Sequence, residues 1–373
     1  MSQRSLIMRY SRLLLLVTFF FFLPASGQED NGDGSGNGEL LLNFKSISFV
    51  KNNEYSNPIT EGYTLIGYFL QPELMYKADE KVSFALGAHL LSFSGTGNFT
   101  EARPVFSATY SFSKNTFFRI GTLKGSDEHR MFDPHFSRER VYSAYSEDGL
   151  QFTTSGERIF SDTWLSWENY IFRGDNEREI FTAGESFRYI SPFFAGSLRM
   201  EVPVQIQFKH YGGQISDYDE GVETFLNIAA GISLTAGIDS RSSRAGVEAL
   251  FFSGSSMTGN APSGIESGYA GWYKMLLETG SVSIEAGYWD SDNFYAPNGN
   301  FIFSSVPERT GGSIIKERSL LTFLLSINLP YKDFLDFHFG FDGYYDTNLK
   351  RFDNALSLHI KLDKLFVLAA KKK

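Results

Sequence analysis

The sequence predicts an all-β chain, a transmembrane antiparallel up-and-down β-barrel of about 16 strands, within a range of roughly 14–18. Three observations predict it. Apolar and polar residues alternate over ten or more positions, stop at turn residues and start again, and no segment keeps a helical period. Phenylalanine (37), tyrosine (19) and glycine (35) are abundant, while proline is scarce at 11. Beyond residue 27, no apolar run reaches the roughly 20 residues that a membrane-crossing helix needs.

Taken in order, the chain opens with Arg4, Arg9 and Arg12 ahead of the apolar run Leu13 to Leu23. Pro24-Ala25-Ser26-Gly27 then places small residues before Gln28, completing the three regions of a cleaved secretory signal over residues 1–27. Removing those three arginines takes the formal net charge from −9 to −12, an acidic surface that argues against nucleic acid as a partner. There is no cysteine, so stability must come from a core or from closure of a sheet, not from disulfides. Residues 28–38, with the tract Asp30 to Gly38, read as a flexible leader. Its Asp-x-Asp-Gly spelling lacks the glutamate that would close a calcium loop, so neither a metal nor a cofactor is expected.

Residues 39–373 carry the strands. From Phe194 to His210 the even positions run Phe194, Leu198, Met200, Val202, Val204, Ile206 and Phe208, while the odd ones include Arg199, Glu201, Gln205, Gln207 and Lys209. Leu335 to Asp346 sets phenylalanines against Asp336, His338 and Asp342, and the last segment sets leucines against His359, Lys361 and Asp363. Arg244 and Glu248 alternate with Val247 and Phe251, and Glu285 with Val282, Ile284 and Tyr288. Near Tyr63 and Ile159 only β-propensity supports a strand. A soluble sandwich would seldom use strands longer than about six residues. Links near Lys77, Lys114, Ser155, Ser191, Ser242, Gly280 and Tyr331 are short. Those at 51–61, 94–100, 125–147, 173–178, 210–221, 254–263, 291–316 and 346–353 are longer. Short turns on one rim and long loops on the other suit a barrel whose apolar face meets lipid, because a sheet in lipid must have no edge.

On these segments the chain resembles Gram-negative outer-membrane β-barrels of the porin-like kind, from about Glu39 to Leu368. It departs from them at the end, where Phe366 is followed by Val-Leu-Ala-Ala-Lys-Lys-Lys. The resemblance implies export to the outer membrane, contact with its lipid, passage of small polar solutes, and an open question of homo-oligomerisation.

The inward face then holds Arg199, Glu201, Lys209, Arg244, Glu248, Glu285, Asp336, His338, Asp342, His359, Lys361 and Asp363 as candidate lumen-lining residues. Such a mixed face either satisfies itself across strands or screens solutes by charge. No Gly-x-Ser-x-Gly, His-Glu-x-x-His or phosphate-binding loop is present, and His89, His338 and His359 phase with the polar face. The expectation is therefore a protein that is not an enzyme. Trp164, Trp167, Tyr170 and Phe172 read as an aromatic girdle more than a sugar-stacking surface. The 291–316 stretch, with Phe294, Tyr295, Asn298 and Asn300, reads as a solvated outer loop before it reads as a carbohydrate contact.

The long charged link Gly125 to Asp148 fits no strand period. Its residues Asp127, Glu128, His129, Arg130, Asp133, His135, Arg138, Glu139 and Arg140 are the candidate constriction, since the resemblance implies a loop folded into the pore. Arg130, Arg138 and Arg140 are expected to face Asp127, Asp133 and Glu139. The expected function is an outer-membrane channel for passive or weakly selective diffusion of small polar solutes, saccharides among them. The alternative is a closed structural or docking barrel within a larger cell-surface machine for polysaccharide or protein export.

Overall fold

The computed structural model describes residues 38–193, 198–213, 215, 217–218, 221–238, 243–258, 263–309 and 312–370. The signal and leader expected ahead of Glu39 lie outside them, Gly38 excepted. The strands are β1 (Glu39–Glu54), β2 (Tyr63–Lys77), β3 (Val82–Phe93), β4 (Glu101–Ser113), β5 (Thr116–Thr122), β6 (Asp148–Ser155), β7 (Ile159–Asn169) and β8 (Glu179–Phe193). They continue as β9 (Leu198–Gly212), β10 (Glu223–Gly237), β11 (Arg244–Ser256), β12 (Ser267–Thr279), β13 (Val282–Asp292), β14 (Glu317–Lys332), β15 (Leu335–Asp346) and β16 (Arg351–Ala369). Each pairs antiparallel with its neighbours in sequence, and β1 pairs with β16, so the sheet closes into a barrel. Among the described residues no helix is long and apolar enough to cross a membrane; the crossing is made by strands. The chain is an integral β-barrel of the outer membrane.

Closure follows from the residue pattern. Gln205, Gln207 and Lys209 of β9 are buried inside, while Phe208 and its even-numbered neighbours face out. Outward positions such as Ile66, Leu86, Phe106, Val247, Phe251, Met275 and Leu321 are exposed large apolars, as a lipid-facing surface requires. The weakly patterned segments at Tyr63 and Ile159 are strands β2 and β7. The turn expected near Ser191 lies further on, because β8 runs to Phe193 and β9 begins at Leu198.

The barrel has a packed interior. One apolar cluster joins Phe132, Phe294, Ile302 and Phe303 to Phe252, Trp272, Trp289, Leu320 and Tyr344 on the wall. A second joins Val141, Tyr142 and Tyr145 to Ile47, Phe49, Phe69 and Leu91. The inner face therefore alternates between charged stretches and apolar patches wherever a loop seats on it. That corrects the expectation for residues 291–316, of which 293–307 fold inward. A solvated loop would leave Phe294, Ile302 and Phe303 wet; enclosed here, each contributes about 1.5–3 kcal/mol toward the cost of ordering the segment.

Candidate functional site

Two loops enter the lumen from the outer rim: residues 123–147 between β5 and β6, and residues 293–307 after β13. The first is held at its heart by His129. This residue is fully buried, with Nδ1 2.6 Å from Asp162 Oδ2, Nε2 2.7 Å from Glu147 Oε2, and its ring stacked 3.9 Å from Trp164. Burial alone would lower its pKa, but the hydrogen bonds and charges of Asp162 and Glu147 outweigh that and raise it to about 9. The ring is thus a cation between two carboxylates at neutral pH. Trp164 faces inward beneath it, which corrects its assignment to a lipid-side girdle; Trp167, Tyr170 and Phe172 remain exposed. His135 is as deeply buried, edge-on to Phe252 at 5.6 Å, and burial pushes it down to about 3, leaving it neutral. Among the described residues no cluster of His, Asp and Glu suits a metal ion.

The remaining loop charges spread onto the wall. Arg138 reaches Asp133 at 3.6 Å and Asp342 at 3.8 Å. Arg140 pairs with Glu147 at 3.4 Å, not with the three acids expected for it, and Glu139 instead pairs with Lys51 at 3.3 Å and Tyr63. Arg130 lies over the Phe160 ring at 4.3 Å, while Asp127 reaches across to Lys361 at 3.2 Å. Glu128 is exposed beside Asp127. Backbone groups are used as well: the Arg130 carbonyl accepts from Arg188 and Gln205, and Phe132 N donates to Gln205. Tyr142 and His359 share a 2.5 Å contact.

The second loop leans on the first. Asn300 N and Nδ2 donate to Asp133 O and Oδ2, each at 2.9 Å, and Ser137 N donates to Asn298 O at 2.7 Å. Gly299 permits this approach, since a Cβ there would sit 2.1 Å from Pro134 O. Below, Arg318 is fully buried; it donates to Ile302 O and Ser304 O and pairs with Asp346 at 3.0 Å.

Among the described residues, three cavities border the loops or the charged inner face. One of about 740 Å³ on the turn side includes Asp336, His338, Asp342, His359 and Lys361 in its lining. A neighbouring one of about 330 Å³ is lined by Arg199, Glu201, Arg244, Glu248 and Glu285. The third, about 410 Å³ on the outer side, is lined by Tyr55, Tyr63, Arg140, Asn298, Phe301 and Glu308. Ser137, Glu139 and Asn300 border both the largest cavity and the outer one. Lys209 is held by Glu168 at 2.5 Å away from these spaces, and Asp363 pairs in register with Lys45.

The outward surface holds a group that the sequence reading passed over. His210 lies on the lipid-facing side of β9 at the outer rim, Nδ1 2.8 Å from Thr224 Oγ1, stacked 4.7 Å from Phe181. Carrying the even-numbered apolar phase one step beyond Phe208 would have placed it there.

The chain was compared with known proteins. The model of the lipid A 3'-O-deacylase-type family matches residues 28–371. The chain belongs to this family. Its name is that of an enzyme family, which overturns the expectation of a protein that is not an enzyme; that expectation rested on absent soluble-hydrolase motifs and on three inward histidines, with His210 uncounted. No curated protein matches the chain. Among solved structures, the outer membrane protein opdK of Pseudomonas aeruginosa superposes with a TM-score of 0.52 at 8% identity, covering 89% of this chain and 100% of its own. OprD of the same organism gives 0.52 at 9%, covering 90% and 98%, and its OccK2 (OpdF) gives 0.52 at 11%, covering 88% and 100%. At such identities the likeness establishes the fold, a porin-like barrel. In this member of the deacylase-type family, His210–Thr224 and the lumen beside the loops are two places among the described residues where chemistry-bearing groups meet an accessible surface.

Proposed function

We propose that this barrel is a diffusion channel for small polar solutes, narrowed where the two inward loops touch. The observation that carries the reading is the shared border of the outer and turn-side cavities at Ser137, Glu139 and Asn300. A solute entering between Tyr55, Tyr63 and Phe301 meets aromatic faces beside the amides of Asn298 and Asn300, a lining suited to saccharide rings. It then passes Glu139 and emerges among the opposed charges of Arg138, Asp342 and Lys361, which orient water and favour dipolar over apolar solutes. The loop residues from Asp127 to Arg140 act as the constriction. In planar bilayers the protein should give stepwise conductance, and deletion of residues 127–140 should increase each step. A barrel that inserts but never conducts would sink this reading and favour the closed docking barrel.

A second reading is favoured by family membership together with His210: ester hydrolysis of lipid A at the outer rim. A deacylase acting on a lipid must present its base to the membrane, and His210 is so placed. With Nδ1 unprotonated, the imidazole takes the Thr224 hydroxyl proton as that oxygen adds to an acyl carbonyl. The ester C–O bond then breaks, the departing sugar oxygen takes the proton, and water later releases the acyl group by the same base. Mass spectrometry of lipid A in mixed micelles should show loss of one acyl chain with the wild type and not with His210→Ala. Intact lipid A after exposure to the wild type refutes it.

A further inference from the structure

The charge of the outer cavity follows from how the ion pairs behind it are shared. Glu139 meets Lys51 at 3.3 Å, Lys51 meets Asp342 at 3.7 Å, Asp342 meets Arg138 at 3.8 Å, and Arg138 meets Asp133 at 3.6 Å. In this chain of contacts three carboxylates share two cations. The surplus negative charge reaches the cavity through Glu139, whose side chain is 20% exposed, while Lys51 behind it is 5% exposed. Glu308 adds a second carboxylate to the same lining. Its Oε2 accepts from Thr60 Oγ1 at 2.7 Å and from Glu61 N at 3.3 Å, which leaves Oε1 free. Arg309 beside it turns to Glu61 instead. Against these two carboxylates the lining sets one cation, Arg140, already engaged by Glu147 and the Phe136 ring.

The neutral groups lean the same way. Asn53 is 2% exposed; its Nδ2 donates to Glu139 Oε1 at 3.0 Å, and its Oδ1 meets no donor. The hydroxyl of Tyr55, a lining residue, is buried without a partner, and so is that of Tyr344, whose ring stands edge-on to Tyr55 at 6.5 Å. Buried acceptors without donors are uncommon in folded proteins and call for an N–H or O–H from elsewhere. Tyr55, Tyr63 and Phe301 make the rest of the wall aromatic, and ring faces attract cations.

We propose that the outer cavity, about 410 Å³, is a binding subsite for small organic cations carrying an ammonium or guanidinium group. The proposal deepens the channel reading and rests on it for passage, whereas binding itself needs only the cavity. The cation enters among the three rings and turns its N–H groups to Glu308, Glu139 and the Tyr55 hydroxyl. Neutral and anionic solutes of the same size lack the charge-assisted part of those contacts.

Calorimetry on the detergent-solubilised barrel should compare butylguanidinium with butylurea, its uncharged isostere. The cation is expected to bind about ten-fold more tightly, as a charge-assisted contact gives. Glu308→Gln, which keeps both accepted hydrogen bonds, should remove most of that preference, and Glu139→Gln should lower it as well. Asp336→Asn, in the turn-side cavity, should leave it unchanged. Equal affinity for the two probes, or a preference that survives both glutamine variants, overturns the subsite. Should Glu139→Gln fail to fold, Glu308→Gln alone decides it. Conductance in planar bilayers, measured on the same preparation, separates the two readings. A barrel that binds butylguanidinium but never conducts keeps the subsite and loses the channel; one that conducts but binds both probes alike keeps the channel and loses the subsite.

Discussion

The two loops that enter the lumen are held by different physics. Residues 123–147 add to their apolar seat, through Phe132, Val141, Tyr142 and Tyr145, a set of charge contacts: His129 between Asp162 and Glu147, Arg140 on Glu147, Glu139 on Lys51, Asp127 on Lys361. Residues 293–307 are fastened by apolar burial, with Phe294, Ile302 and Phe303 wholly enclosed and one buried cation, Arg318, clasping their backbone. Charged fastening can be undone by pH and weakened by salt where it is exposed; apolar fastening answers to neither. One barrel thus carries an adjustable loop beside a fixed one.

The largest effect is expected from the fixed loop. Arg318→Met removes the clasp and leaves Asp346 buried without its partner, a change that costs about 3–5 kcal/mol in comparable sites. Guanidinium unfolding in detergent should show it, and a loss below about 1 kcal/mol would mean that apolar burial alone seats the loop. The adjustable loop comes next, through pH. The folded pKa of His129 is raised from 6.5 to about 9, so its contribution is whole below 6.5, fades as pH rises toward 9, and is gone above. That shift corresponds to about 3 kcal/mol. Amide exchange of residues 126–147 should quicken across that window while residues 294–305 stay protected; equal loosening of both loops would erase the distinction between them. The smallest effect concerns the seam. Asn300→Ala removes one hydrogen bond to Asp133 and should cost about 1 kcal/mol. It should also raise single-channel conductance, because Asn300 borders both cavities.

The barrel was legible because alternation over long segments is a property of each strand alone. Phe194 to His210 or Leu335 to Asp346 needs no knowledge of its neighbours to be read. β7 was poorly legible because Ser161 and Thr163 on its outward face and Phe160 and Trp164 on its inward face mix polar and apolar on both sides. Trp164 was misassigned for that reason: an inward tryptophan makes sense only once His129 is stacked on it. The partners of Arg140 and Glu139 were misread because salt bridges form by proximity in the folded loop: Arg140 turns to Glu147, seven residues on, and Glu139 to Lys51 on the wall. The inward turn of residues 293–307 was illegible in the same way, since aromatic residues in a loop suit either a ligand or a buried seat.

Closure between β1 and β16 joins the two ends of the strand series. The lumen therefore does not exist as an enclosed space until the last strand has been made and paired. Each loop also has contacts made after it in sequence: Tyr142 meets His359, 217 positions later, and Phe303 meets Tyr344. Contacts of such separation form late because the chain entropy of joining distant segments must be overcome first. The contacts across the β1–β16 seam and between Tyr142 and His359 thus belong to the last part of the wall to be made.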